Sequence, residues 1–400
     1  MSAKRRADFK PHRNQKRILK SKARFRVVAC GRRFGKTEVG KWAIVDRAKA
    51  GGECWWLSPT YRMAGSVWRD LVRAFRTRTD VEINKQDLSI VLEDGGSIML
   101  RSTHDPDRLR GAGLDFAVLD EAAFMPPNAW NEVIRPMLLD RQGGALFLST
   151  PYGRNWFWQV YQRGLDPEQR EWESFHFSSY DNPLLRRDEI DALRAVTPDH
   201  IFRAEYLAEF VDDAGQVFRG IREAVRAPLN AAPAAGRRYA AGVDWGRSRD
   251  FTVIAIVDAD HRQLVALDRF NQIGWEAQRS RLSEICARWQ PGVIWAEENS
   301  VGAVNIEALQ AEGLPVQPFR MSAASKAPLI EALSLAIERG DLALLPDEVL
   351  INELASYAME RLPGGGFRYG APSGMHDDCV IALALAWHGA YRAGIGIEFG

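Results

Sequence analysis

The sequence predicts an α/β protein built twice over, with two different topologies. Three observations carry that expectation. In the first half, short and continuously apolar runs alternate with helical stretches, the pattern of a mostly parallel sheet covered on both faces. Beyond an Ala-, Pro- and Arg-rich stretch at 222–238, three strands follow one another closely, as in an antiparallel meander. Finally, 400 residues with 46% hydrophobic and 26% charged side chains exceed one ordinary domain and suffice for two cores.

The elements follow in order. Residues 1–26 hold eleven Lys/Arg against the single acid Asp8, a basic segment able to meet phosphates or to serve as a solvated tail. FRVVAC (25–30) reads as a buried strand, and TEVGKWAIVDRAKA (37–50) as a helix closed by Gly51-Gly52. ECWWLSP (53–59) is the next strand, and SIVLEDGGSIMLRS (89–102) a hairpin turning at Asp94-Gly95-Gly96. FAVLDE (116–121) and ALFLSTP (145–151) are two further buried strands. Residues 154–212 are mainly polar or helical, with HIFRAEYLAEF (200–210) read as a helix.

After the connector come YAAGVDWG (239–246), FTVIAIVD (251–258) and QLVALDRF (263–270) as strands, then a helix at about 275–289. VIWAEE (293–298) is a strand, followed by another helix and strand and two more helices. The expected boundaries are a basic segment 1–26 and a first domain 27–212, whose part 154–212 is a helical lid or linker subdomain. A linker 213–238 and a second domain 239–400 complete the chain.

Composition excludes several classes. The formal net charge is +1, so the chain as a whole is not a polybasic nucleic-acid binder. Cys30, Cys54, Cys286 and Cys379 lie far apart, with no CxxC pair and no zinc spacing, which implies a reduced, intracellular setting. No apolar run approaches the ~18 residues of a membrane span. The basic N-terminus lacks the apolar segment that a signal peptide carries after it.

CGRRFGKT (30–37) carries the first chemistry. The phosphate-binding pattern is G-x-x-x-x-G-K-[ST], and here Cys30 stands at the leading glycine while Gly35, Lys36 and Thr37 are in place. A strand, a glycine-bearing turn and a helix present backbone N–H groups and a positive dipole end to phosphate. Lys36 is suited to the β- and γ-phosphates and Thr37 to Mg²⁺. In AVLDEAAF (117–124) an apolar strand ends in Asp120-Glu121, with Asp120 placed for the metal's water shell and Glu121 for general-base work on the attacking water. Together the two segments read as an ATP hydrolase using ATP and Mg²⁺.

Arginines near a transferring phosphate stabilise its spreading charge. Arg32 and Arg33 could act in cis, and Arg110, in LRGAGLD, is the candidate finger for a neighbouring subunit. Ser149-Thr150-Pro151 end a strand of the same sheet, where a polar pair could sense loss of the γ-phosphate. Gln15 has an amide able to read an adenine edge.

A second constellation lies downstream. Asp244 sits within an apolar strand, Glu297 ends another with Glu298 beside it, and Asp377-Asp378 open an amphipathic helix. A carboxylate in such a strand is costly unless it binds a cation. Three or four converging acids clamp two Mg²⁺ or Mn²⁺ ions for attack on a phosphodiester.

The ordered set CGRRFGKT, VLDEAAF, LSTPYG, FRAEYLAEFVDDAGQVF, GVDWG, AEENSVG and MHDDCVIALALA resembles the large terminase subunits of tailed bacteriophages and prophages over roughly residues 10–392. That resemblance implies an ASCE-type P-loop ATPase followed by an RNase H-like nuclease. In that family the phosphate loop commonly lacks its first glycine and carries arginine. The implied ATPase residues are Lys36, Thr37, Asp120 and Glu121, with Ser149-Thr150-Pro151 as coupling motif. The implied nuclease acids are Asp244, Glu297 and the Asp377-Asp378 pair, of which Asp378 is favoured as principal ligand. Glu297 stands where many relatives carry Asp, and Lys326 is a candidate contact for the scissile phosphate.

The resemblance further implies work on double-stranded DNA in the host cytoplasm, away from any membrane. It implies a portal protein, a small terminase subunit and a homo-oligomeric ring as partners. Two rival readings are a repair or recombination helicase-nuclease and a non-enzymatic DNA scaffold with relic sites. The first needs a second RecA-like lobe, and the second does not explain why every acid and Lys36 are kept.

Overall fold

In the computed structural model the described residues are 10–76, 78–111, 113–211, 215–246, 250–298, 302–361 and 367–394. Residues 1–9 of the basic segment lie outside them. The chain forms two compact units, chiefly residues up to 214 and chiefly those from 215 onward.

The first unit is built on an eight-stranded sheet in the order β3-β4-β5-β2-β6-β7-β1-β8. Its strands are β1 (Phe25–Cys30), β2 (Glu53–Ser58), β3 (Val81–Asn84), β4 (Ser89–Leu92), β5 (Ser97–Ser102), β6 (Phe116–Asp120), β7 (Gly144–Ser149) and β8 (Trp172–Phe177). From β5 across to β8 every neighbour is parallel, while β3 and β4 add an antiparallel edge. The apolar runs are continuous because both faces are covered. Val28, Val118, Leu146 and Leu148 pack with Val39 and Ile44 of the Lys36–Lys49 helix, and Val27, Ala117, Ala145 and Phe147 pack with Trp130 and Phe157 on the other side. Side chains alternate faces along a strand. Asp120 therefore shares the face of Val118, toward the helix that Lys36 begins.

Two features depart from the expected pattern here. Strand β8 lies inside 154–212, a stretch expected to be mainly polar or helical. Its buried residues Trp172, Phe175 and Phe177 are interrupted by Glu173, Ser174 and His176, so no apolar run marks it, yet it pairs with β1 along its whole length. The helix expected at 200–210 ends at Glu205.

The second unit carries a mixed five-stranded sheet, order β11-β10-β9-β12-β13. The strands β9 (Tyr239–Asp244), β10 (Thr252–Asp258) and β11 (Gln263–Phe270) form the antiparallel meander, and β12 (Val293–Glu297) and β13 (Val316–Phe319) extend the sheet in parallel beyond β9. This is the RNase H-like arrangement, not a second RecA-like lobe. One face, with Ala240, Val253, Val293 and Trp295, is covered by the Asp378–Gly394 helix; the other packs on Leu282, Cys286 and Trp289 of the Trp275–Trp289 helix.

The helix lies so close to β9 that a Cβ on Gly242 would stand 2.1 Å from the Ala382 carbonyl oxygen. Only glycine fits there. Residues Val217, Phe218, Ile221, Ala224 and Ala227, within the stretch 213–238 read as linker, pack into this second core. No described helix is long and apolar enough to cross a membrane.

Candidate active sites

The first site is assembled at the carboxyl ends of β1, β6 and β7. After Cys30 the chain makes a tight turn in which Arg33 (φ 62°) and Gly35 (φ 97°) are left-handed, and the Lys36–Lys49 helix starts at once. Lys36 Nζ lies 3.2 Å from Glu121 Oε1. Glu121 follows the last residue of β6 and is itself left-handed, at φ 59° and ψ 46°. A non-glycine residue held there costs of order 1–3 kcal/mol, and such strain gathers at working sites.

Asp120 and Glu121 each present one buried carboxylate oxygen, Oδ1 and Oε2, with no hydrogen-bond partner among the described residues. Burial, then the neighbouring Glu121 charge, pushes the Asp120 carboxyl up to about 7. Unmatched buried acceptors of this kind suit a hydrated divalent cation, with Thr37 half-buried on the first helical turn nearby. The same two acids and Lys36 act on Cys30, but burial dominates and pushes its thiol up to about 12. The cysteine at the missing-glycine position is thus an inert packing residue.

The loop is braced from behind. Arg32 pairs through its guanidinium with the buried Glu205 carboxylate and through its backbone N–H with the Glu205 carbonyl, 2.6 Å. Ser179 Oγ donates to the Arg32 carbonyl and Asn182 Nδ2 to the Arg33 carbonyl, both at 2.7 Å. Gln15 Nε2 donates to the Gly35 carbonyl at 3.2 Å, while its Oε1 accepts from the His12 N–H at 3.0 Å. Gln15 therefore also serves as a strut, with one donor hydrogen and one acceptor lone pair to spare.

Ser149 Oγ accepts from the Ala123 N–H at 3.1 Å and donates to the Thr150 carbonyl at 2.8 Å, linking the end of β7 to the turn after Glu121. Thr150 Oγ1 is buried without a partner among the described residues. Pro151, next in line, is buried as well. Arg33 is exposed. Arg110 is brought elsewhere, to Asp107 (3.1 Å) and the Glu132 carbonyl (3.4 Å), with its side chain largely exposed. Glu205, Ser179 and Asn182 were missed by the sequence reading. Glu205 stands in FRAEYLAEF, a segment noted there without a role for the glutamate.

The second site lies at the ends of β9 and β12. These strands are parallel with Val243 beside Ala296, so Asp244 and Glu297 are the next residues along. Asp244 shares the face of Gly242, toward the helix that Asp378 begins. Burial, then a side-chain hydrogen bond with Glu297, then the charges of Glu297, Asp378 and Asp377 hold the Asp244 carboxyl well above the usual carboxylate range.

Asp378 Oδ2 accepts the Phe251 N–H at 3.2 Å and lies 3.5 Å from His376 Nδ1. Lys326 Nζ lies 3.2 Å from Asp377 Oδ2. Glu298 is exposed. His376, missed earlier although it stands in MHDDC, joins the rim.

Four acids thus share one electrostatic field, and Asp244 and Glu297 share a hydrogen bond. That donor set is all hard oxygen, suited to Mg²⁺ or Mn²⁺. Among the described residues no three such side chains stand close enough together to hold a metal ion as they are placed. The acids are gathered and mutually repelling, which a divalent cation would relieve.

Residues 29–225 match the family described as terminase large subunit, T4likevirus-type, N-terminal. The chain is 31% identical to the terminase large subunit of Thermus virus P23-45 over 98% of its own length and 90% of that protein's. It is likewise 31% identical to that of Thermus phage G20c, over the same shares. A solved large terminase from another thermophilic bacteriophage has the same fold, with a TM-score of 0.53 and 17% identity over 93% of this chain and 97% of that one. With an alignment that runs through both units, the chain belongs to the family of terminase large subunits.

Proposed function

We propose that this chain is a DNA-packaging motor subunit that hydrolyses ATP in its first unit and cuts double-stranded DNA in its second. The observation that carries the reading is the presence of two separate acid sites in one chain. In one, a lysine from the phosphate loop faces a strained glutamate; in the other, strand-end and helix-start acids converge.

In the first unit the backbone turn at 33–35 and Lys36 receive the phosphates, and Thr37 and Asp120 hold a hydrated Mg²⁺. Mg²⁺ bound there draws charge from the phosphates. Glu121 takes the proton from the attacking water, which requires Lys36 to leave it for the nucleotide. Arg33, exposed on the loop, and Arg110, exposed on its own loop, supply positive charge to the transition state, Arg110 toward a neighbouring subunit. Gln15 offers its spare donor and acceptor to adenine. The Ser149-Thr150-Pro151 turn, bonded to the segment after Glu121, reports the state of the site to the rest of the sheet.

In the second unit Asp244, Glu297 and Asp378, with Asp377, hold two Mg²⁺ or Mn²⁺ ions. These cations supply charge neutralisation for in-line attack on a phosphodiester. Lys326 stands against Asp377 and offers its ammonium to the scissile phosphate. Grip on the duplex is phosphate-directed and so falls steeply with salt. The partners proposed are a portal protein, a small terminase subunit that picks the DNA, and further copies of this chain in a ring, all in the host cytoplasm.

The test is protection of DNA from added nuclease inside purified procapsids. Protection is expected with ATP, and not with Lys36→Ala or without the portal-bearing shell. Normal protection by Lys36→Ala would sink the motor reading. Strand displacement on forked DNA without procapsids would favour a helicase instead.

A further inference from the structure

The Glu348–Ser356 helix carries none of the residues assigned so far. Its buried face holds Glu353, only 6% exposed, an expensive place for a carboxylate without partners. One partner is the backbone N–H of Cys379, which donates to Glu353 Oε2 at 2.8 Å. Cys379 directly follows Asp378 in the first turn of the Asp378–Gly394 helix, where N–H groups have no partner within the helix. Helix starts are ordinarily capped by a side chain just before them. Here the acceptor comes from 26 residues upstream and meets the residue beside the metal-site acid.

The other oxygen of Glu353 faces Arg269 of β11, with Nε 3.9 Å from Oε1, beyond hydrogen-bond range. The Arg269 guanidinium lies over the Phe251 ring, 3.2 Å from its centroid. Phe251 in turn donates its N–H to Asp378 Oδ2 at 3.2 Å. The contacts close on themselves, from Asp378 to Cys379, Glu353, Arg269, Phe251 and back to Asp378. One arm sets where the helix begins, and the other sets where the Asp378 carboxylate points.

We infer that Glu353 is a positioning residue of the nuclease site, fixing Asp378 for its cation through Cys379 on one side and through Arg269 and Phe251 on the other. The inference rests on the reading of Asp378 as a metal ligand. Glu353 itself touches neither cation nor DNA. Partners of this kind that orient a ligand cost 10–100-fold in metal affinity when removed.

The test is Mn²⁺ binding by calorimetry to the full chain without nucleotide, alongside its melting temperature in EDTA. Glu353→Ala is expected to weaken Mn²⁺ binding about tenfold. Glu353→Gln should weaken it less, because the amide oxygen still accepts the Cys379 N–H. Arg269→Gln should fall between wild type and Glu353→Ala.

Wild-type Mn²⁺ affinity in Glu353→Ala with an unchanged fold overturns the inference. If that variant does not fold, wild-type affinity in both Glu353→Gln and Arg269→Gln overturns it. Asp378→Asn separates the two readings. Loss of Mn²⁺ binding there, with Glu353 variants unaffected, removes this inference alone; retained binding in Asp378→Asn removes the ligand reading and this inference with it.

Discussion

Lys36 Nζ and Glu121 Oε1 stand 3.2 Å apart, although 85 residues separate them in the chain. The pair neutralises itself before any nucleotide arrives. Burial works against the Lys36 ammonium, but Glu121 and Asp120 more than offset it and hold its pKa above the ordinary lysine range. On the proposed reading phosphate competes with Glu121 for Lys36, and the glutamate becomes free to act as a base only when the nucleotide is seated. Glu121→Gln should lower ATP turnover by roughly 10²- to 10⁴-fold while leaving nucleotide affinity equal or higher. Lys36→Ala should lose both, as read with a fluorescent ATP analogue and a phosphate-release assay.

Asp244→Asn should behave in the opposite way at the second site. DNA cutting should be lost while ATP turnover stays within twofold or so of wild type, since Asp244 belongs to the other unit. Removing one of several mutually repelling carboxylates should also raise the melting temperature in EDTA. The further rise that Mn²⁺ gives the wild-type protein should shrink. A fall in the EDTA melting temperature would contradict the repulsion inferred around Asp244.

Gly242→Ala probes the contact that brings Asp244 beside the Asp378 helix. The added Cβ would meet the Ala382 carbonyl at 2.1 Å and the Ala386 nitrogen at 2.3 Å, both backbone atoms that cannot turn aside. Overpacking of this kind costs roughly 1–3 kcal/mol. Urea unfolding of the second unit should show that loss, and DNA cutting should fall with it.

His388 gives a pH signature. It packs against the Trp295 and Phe319 rings, and burial, with the Arg392 charge adding to it, lowers its pKa to about 4. The folded state thus disfavours the protonated ring, and the unfolded chain binds the extra proton. Its contribution to stability is complete above the ordinary histidine value of about 6.5. It is lost as pH falls from there toward 4. His388→Phe should flatten that part of the stability curve, measured by urea unfolding at a series of pH values. An unchanged acid limb would show that His388 is not responsible.

Both sheets were legible because most of their buried strands are continuous apolar runs, several ended by a charge, as at Asp120, Asp244 and Glu297. The candidate acids stood out for the same reason, since a charge at the tip of such a run has few structural uses. Strand β8 was not legible. Each of its faces carries an exposed residue, Glu173 on one and His176 on the other, and its partner β1 lies some 150 positions away, so neither composition nor local spacing marks it. The Arg32–Glu205 pair and the Glu353–Cys379 contact escaped for a related reason. In both, the acid is an ordinary glutamate on a helix, whose periodicity reveals a buried face and not what that face meets.

The bracing of the phosphate loop has a mechanical consequence. A loop hung from one bond can swivel about it, but Arg32 meets Glu205 through both its backbone and its guanidinium. Two attachment points remove the swivel. A shift of the loop is therefore passed to the Asp199–Glu205 helix through two bonds at once, as a push and not as a twist.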